Sequence, residues 1–282
     1  MTNATTEKPR DEGLVGKVRE RYAEIAVKGS PCCGPAPQAA AACCTASASV
    51  SEGVGYDKKE LEGVPQEADL GLGCGAPIGH LALRPGETVL DLGSGPGLDA
   101  LLAAKQVGPS GRVIGVDMTP EMLERARGTA AKAGASQVDF REGRLEKLPV
   151  ESASVDAVTS NCVINLVPDK AAVFAEIARV LKPGGRVVVS DIVLDRPLPE
   201  AVAKDVLAWC GCVAGASDRR AYLALIEDAG LGPLEVLKDE DYLASLAKIA
   251  PEEADRLLAG WGVTRKQLEG TVHSITWRAV KR

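Results

Sequence analysis

"VLDLGSGPGLDA", Val89 to Ala100, is a short apolar run broken by three alternating glycines and followed by residues of helical pattern. Gly93, Gly95 and Gly97 form a tight strand-to-helix turn at the carboxyl edge of a strand, where a side chain would block close approach of the backbone to a ligand. Their G-x-G-x-G spacing departs from the G-x-G-x-x-G that seats a pyrophosphate at a helix N-terminus, so a dinucleotide is disfavoured. Asp91 argues the same way, because a carboxylate repels a bound diphosphate and tolerates a cationic, amino-acid-like ligand.

Outward from this turn, strand and helix alternate. "TVLDLG", "RVIGVD", "VDFREG", "SVDAVTSN" and "RVVVSDIVL" read as strands, with "LDALLAAKQVG", "TPEMLERARGTAAKAG" and "DKAAVFAEIARVL" as helices and "KPGG" as a turn. The strand cores are continuously apolar, which predicts a mostly parallel, doubly wound α/β sheet covered on both faces. Asp117 ends the second strand about 20 residues after the last glycine, where an acidic group takes ribose hydroxyls. Three regions follow: 1–70, a helix over Leu14 to Gly29 and a mobile loop with Cys32, Cys33, Cys43 and Cys44; 71–195, the ligand-binding domain; and 196–282, a smaller α+β covering region. In the last, "PEAVAKDVLAWCG" and "RRAYLALIEDAGL" read as helices, "PLEVLK" as a strand and "TVHSITWRAVK" as a late antiparallel strand.

Composition narrows the function. The 282 residues carry a formal net charge of -6 and only 3% aromatics, which argues against a nucleic-acid binder and for a small or neutral substrate. The polar start and the lack of a long apolar run predict a cytoplasmic protein without a membrane span. Eight cysteines in a reducing compartment suit thiol chemistry or soft ions better than a disulfide framework. Two histidines and no C-x-x-C pair argue against a Cys/His zinc site and leave few candidates for a general base.

"SNCVINL", residues 160 to 166, sets Cys162 just after the fourth strand, at the edge where ligands sit in this fold. Cys74 in "GLGCGAP" and Cys212 in "WCGCVAGA" are able to converge there from other segments. Three isolated thiols suit a soft, three-coordinate centre. The alternative is that each is a small buried hydrophobe.

The glycine turn, Asp91, Asp117 and "LKPGGRVVVSD" together resemble the class I S-adenosylmethionine-dependent methyltransferases over roughly residues 75 to 195. That resemblance implies a methionine end shaped by Asp91, Gly93, Gly95 and Gly97, a ribose held by Asp117, an adenine flanked by Met118, and a far edge covered by Arg144 and Leu145. Asn161 and Asn165, uncharged hydrogen-bonding neighbours of Cys162, are expected either to orient the methyl donor or the backbone or to serve as turn formers at the strand end. "GLGCG", "SNCVINLVPDK" and "CVAGA", behind "ACCTA", further resemble the arsenite methyltransferases from about residue 40 onward. This implies arsenic ligated by Cys74, Cys162 and Cys212, a redox partner in Cys44 that closes a disulfide with Cys74, and an external thiol reductant such as glutathione or thioredoxin. The enzyme is expected to act as a monomer on arsenite or its thiol conjugates. Cys210 matches no position of that pattern, and the choice of Cys44 over Cys43 is open. Two alternatives stand beside this reading: methyl transfer to carbon or oxygen of a small organic molecule, and a non-catalytic thiol binder of soft metals.

Overall fold

The structure, a computed structural model, describes residues 8–29 and 47–282; the expected loop with Cys32, Cys33, Cys43 and Cys44 lies outside the described residues. Helix α1 (Lys8–Lys28) ends at Gly29, whose φ of 67° and N–H bond to the Ile25 carbonyl close the last turn. Its buried face carries Val18, Ile25 and Ala26. Helices α2 (Ser47–Val54) and α3 (Lys58–Leu61) lead towards the sheet.

The alternating core runs β1 (Thr88–Leu92), α4 (Leu98–Val107), β2 (Arg112–Asp117), α5 (Pro120–Lys132), β3 (Val138–Glu142), β4 (Val155–Asn161), α6 (Lys170–Val180) and β5 (Leu181–Leu194). After it come α7 (Glu200–Ala203), α8 (Val206–Cys210), β6 (Ser217–Asp218), α9 (Arg219–Asp228), β7 (Glu235–Asp241), α10 (Tyr242–Ile249), α11 (Pro251–Trp261), α12 (Arg265–Leu268) and β8 (Val272–Val280). The sheet order is β3-β2-β1-β4-β5-β8-β7, with β6 paired to β5. Strands β1 to β5 are parallel, and β8 runs antiparallel between β5 and β7. Apolar layers cover both faces, one built on Leu90, Val158, Phe174 and Trp277, the other on Val89, Leu101, Val113 and Val188. Two-sided burial is why these strands read as unbroken apolar runs.

Three local readings change. "KPGG" belongs to β5, and the sheet absorbs it through a register shift opposite Val155 to Ala157. The single helix expected over "PEAVAKDVLAWCG" is split into α7 and α8, because the Asp205 side chain caps the Ala208 N–H and starts a new helix. Region 196–282 does not stand apart as one covering unit, since β8 pairs with β5 from Arg186↔Val280 to Leu194↔Val272. An edge-to-face cluster of Phe174, Tyr222 and Trp277, with centroids 5.4–6.5 Å apart, ties α6, α9 and β8 together.

Candidate active site

Strands β1, β2 and β4 end at one rim, above which lies a cavity walled by Asp91, Gly93, Gly95, Asp117, Met118 and Asn161, with Arg144 and Leu145 beyond. At Gly93 the backbone is left-handed, φ 64°, and a Cβ would lie 2.4 Å from Val163. A Cβ on Gly95, φ 50°, would meet nothing within 4 Å: this glycine keeps the cavity itself open. Asp91 is buried, and its Oδ2 has no hydrogen-bond partner. Burial, then the nearby Asp99 and Asp117, pushes its pKa well up, so a cation arriving there is strongly favoured. Asp117 accepts from the N–H groups of Gly95 at 3.0 Å and Thr119 at 2.8 Å, one on each oxygen. Each oxygen retains an acceptor site, which suits a pair of adjacent hydroxyls.

A second cavity adjoins the first and is lined by Cys74, Cys162, Cys210 and Cys212 under Tyr22, Tyr242 and Trp261. Cys162 lines both cavities. All four cysteines are thiols. Cys162 and Cys212 hold left-handed backbones, φ 58° and 63°, a conformation that costs a non-glycine residue about 1–2 kcal/mol. The Cys162 N–H is bonded to the Ser190 carbonyl at 2.8 Å, which fixes the turn after β4. Cys212 lies just past the end of α8, where glycine usually closes a helix, with its N–H on the Trp209 carbonyl at 2.9 Å.

The thiols are drawn together by close backbone approach. The Cys212 Sγ donates to the Cys162 carbonyl at 2.7 Å. Gly215 sits so near this segment that a Cβ would lie 2.1 Å from the Asn165 oxygen. Cys74 is held between Gly73 and Gly75, at which a Cβ would lie 2.5 Å from Asn161 and from Ser190 respectively. The Cys74 N–H donates to Asn161 Oδ1 at 3.1 Å, and its carbonyl accepts from Ser274 at 2.7 Å.

Hydrogen bonds with Cys212 and Cys74, together with burial, raise the Cys162 pKa well above the thiol range. At Cys212 the contact with Cys162 acts downward, and burial with Asp191 and Cys74 overrides it, so this thiol is raised too. Burial and then all three thiols push up Tyr242, which lines the same cavity. Cys162 and Cys212 are thus neutral at pH 7. Among the described residues no group of three or more His, Cys, Asp or Glu is set out to hold a metal ion, so the thiols are neighbours without being a finished cage.

A family model described as a methyltransferase domain matches residues 83–230. The chain belongs to the methyltransferase family. This methyltransferase is 49% identical over 253 residues to the arsenite methyltransferase of Halobacterium salinarum, covering 88% of its own length and 64% of that protein. It is 36% identical over 212 residues to the arsenite methyltransferase of Homo sapiens, covering 71% of its own length and 54% of that protein. It therefore spans less than two thirds of the length of either relative. The solved structure of an arsenic (III) S-adenosylmethionine methyltransferase from Chlamydomonas reinhardtii is similar at a TM-score of 0.58 and 33% identity, over 88% of this chain and 75% of that one.

Two expected positions of the methyltransferase cavity have other tasks. Gly97 is not in the wall; it caps α4 with φ 98°, and a Cβ there would press on Phe140 at 3.0 Å. Asn161 is in the wall, but its amide is engaged: Nδ2 donates to the Tyr56 hydroxyl at 2.8 Å and the Gly75 carbonyl at 2.7 Å, while Oδ1 holds Cys74. Tyr56 in turn donates to Asp99 at 2.8 Å. A polar chain thus runs from Asp99 through Tyr56 and Asn161 to Cys74. Asp99 stood in the quoted glycine stretch, but Tyr56, 43 residues away, carried no local signal. Nor did Asp191, which accepts from Asn165 and Tyr222 behind the thiols and is pushed up to about 7 by burial. Cys44 lies outside the described residues.

Proposed function

We propose that this methyltransferase moves a methyl group from S-adenosylmethionine to trivalent arsenic held by Cys74, Cys162 and Cys212. The observation that carries the reading is the position of Cys162 in the lining of both cavities, with the Cys212 thiol donating to its carbonyl and Cys74 lining the second cavity beside it. Similarity to arsenite methyltransferases over most of the chain supports it.

The residues of the first cavity fit this donor: Asp91 offers an unpaired carboxylate oxygen to the cationic amino group, and Asp117 keeps two acceptor sites for ribose hydroxyls. When bound, the donor supplies an electrophilic methyl on a sulfonium. In the second cavity three thiols condense with As(OH)3 and release three waters, so no net charge is buried. The trio closes on arsenic by side-chain rotation, and holding the sulfurs near one point makes the later As–S bonds intramolecular. The arsenic lone pair, facing the cofactor side at Cys162, then attacks the methyl. The As–C bond forms, the S–CH3 bond breaks with its pair on the departing sulfur, and the positive charge passes to arsenic, which becomes formally pentavalent. A thiol pair returns two electrons by closing a disulfide; Cys44 with Cys74 is the pair implied by resemblance. An external thiol such as glutathione or thioredoxin reopens it. No step needs a general base.

We read α10 and α11, with Tyr242 and Trp261, as the cover over the thiols, and the chain as acting alone on arsenite or its thiol conjugates. Among the described residues no helix is long and apolar enough to cross a membrane. The test is product analysis: the protein with arsenite, S-adenosylmethionine and a thiol yields methylarsenicals, and Cys162→Ser yields none. Wild-type protein that methylates an organic acceptor after its thiols are alkylated, and leaves arsenite unchanged, would refute the reading.

A further inference from the structure

Cys210 has no part in the function proposed above, yet it lines the same cavity as the three ligand cysteines and is buried with them. It is the last residue of α8, and its carbonyl accepts a hydrogen bond from the Tyr22 phenol at 3.1 Å, which pins this turn to α1. Side chains two apart do not face each other on a regular helix. Here the helix ends between them, and the left-handed backbone of Cys212 brings both side chains to one cavity wall. The intervening Gly211 is unexplained by packing. Its φ is −87°, and a Cβ would meet nothing nearer than the Leu207 carbonyl at 3.4 Å. Neither space nor a left-handed backbone demands glycine there; what it supplies is freedom for the Cys210–Gly211–Cys212 turn to rearrange.

We propose that Cys210 is a fourth working thiol, which closes a disulfide with Cys212, in place of the Cys44–Cys74 pair that resemblance implies, and so reduces arsenic after methyl transfer; this rests on the arsenic-methylating function above. The sulfur of Cys210 attacks the Sγ of Cys212 while that sulfur is bonded to arsenic. The S–S bond forms, and the Cys212 S–As bond breaks with its electron pair staying on arsenic. Arsenic falls from the pentavalent to the trivalent level, two cysteines are oxidised by two electrons, and the Cys210 proton leaves to solvent. The methylated arsenic remains on Cys74 and Cys162 with its lone pair restored. A small thiol reopens the disulfide in two exchange steps.

Trypsin cleavage after Lys204 and Arg219 isolates Asp205 to Arg219, which contains Cys210 and Cys212 and no other cysteine. The full chain is reduced, freed of small thiols, given one equivalent each of arsenite and S-adenosylmethionine, alkylated, digested and weighed. The expected result is a peptide lighter by two hydrogens and closed to alkylation, in an amount matching the methylarsenical formed. Cys210→Ser is expected to keep arsenite binding and the first methyl transfer, and to lose about tenfold in turnover when external thiol is limiting. A peptide that remains a dithiol while methylarsenical forms, a Cys212 disulfide to another cysteine, or unchanged turnover in Cys210→Ser would each overturn the role of Cys210 and leave the arsenic reading standing. Absence of methylarsenical from the wild type would overturn both.

Discussion

Cys212 occupies a backbone state that glycine holds without strain, at the position where helices most often end in glycine. A thiol maintained there against a cost of about 1–2 kcal/mol points to use of the sulfur, and Cys162 is strained in the same way. Comparing two truncations isolates the strain. Elsewhere Ala is more stable than Gly, but here Cys212→Gly should unfold at higher denaturant than Cys212→Ala, by about 1 kcal/mol. Equal or reversed midpoints would mean the backbone carries no strain. At this scale the sequence was informative for Cys162 and Asp91, whose places follow from the ends of strands β4 and β1. It was silent on Tyr56, Asp191 and Tyr242, which reach the site only through long-range packing.

Among the elements, the segment Gly71 to Gly75 is joined to the end of β4 by one amide. Asn161 holds the Cys74 N–H, the Gly75 carbonyl and the Tyr56 hydroxyl at once. Asn161→Ala leaves those groups unpaired, which should cost about 1–3 kcal/mol in urea unfolding and weaken arsenite binding as Cys74 loosens. Tryptophan fluorescence on arsenite titration gives the second reading, and an unchanged affinity would show that Cys74 is placed by other contacts. The βαβ order was legible because parallel strands buried on both faces leave an apolar signature in the chain. The break between α7 and α8 was not, because Asp205 reads as an ordinary polar helix residue until its side chain is seen on the Ala208 N–H.

Among the described residues five carboxyls have raised pKa values, with burial the largest cause in each: the buried Asp91, Asp99 at about 6 and Asp191 at about 7, and the half-buried Asp69 and Asp117. A carboxyl whose folded pKa exceeds its unfolded value binds more protons folded than unfolded between the two, so stability falls as pH rises through that window. The ligand-free protein should therefore melt at a higher temperature at pH 6 than at pH 8. Below about pH 4 the trend reverses, as Glu87 and Glu176, held low by hydrogen bonds to Arg186 and Arg179, become protonated. Saturating S-adenosylmethionine should flatten the rise towards pH 6, because its cation offsets the charge on Asp91. A melting temperature independent of pH from 6 to 8 would contradict this. At the same scale the polar switch after β5 does not end the sheet, since β8 returns to it across 86 residues, from Thr276 to Ser190.

Arsenic-edge X-ray absorption on the reduced protein with one equivalent of arsenite tests the trithiol site most directly. Three sulfur neighbours are predicted, falling to two in each of Cys74→Ser, Cys162→Ser and Cys212→Ser. An oxygen-dominated shell, or a sulfur count that Cys162→Ser leaves unchanged, would contradict it.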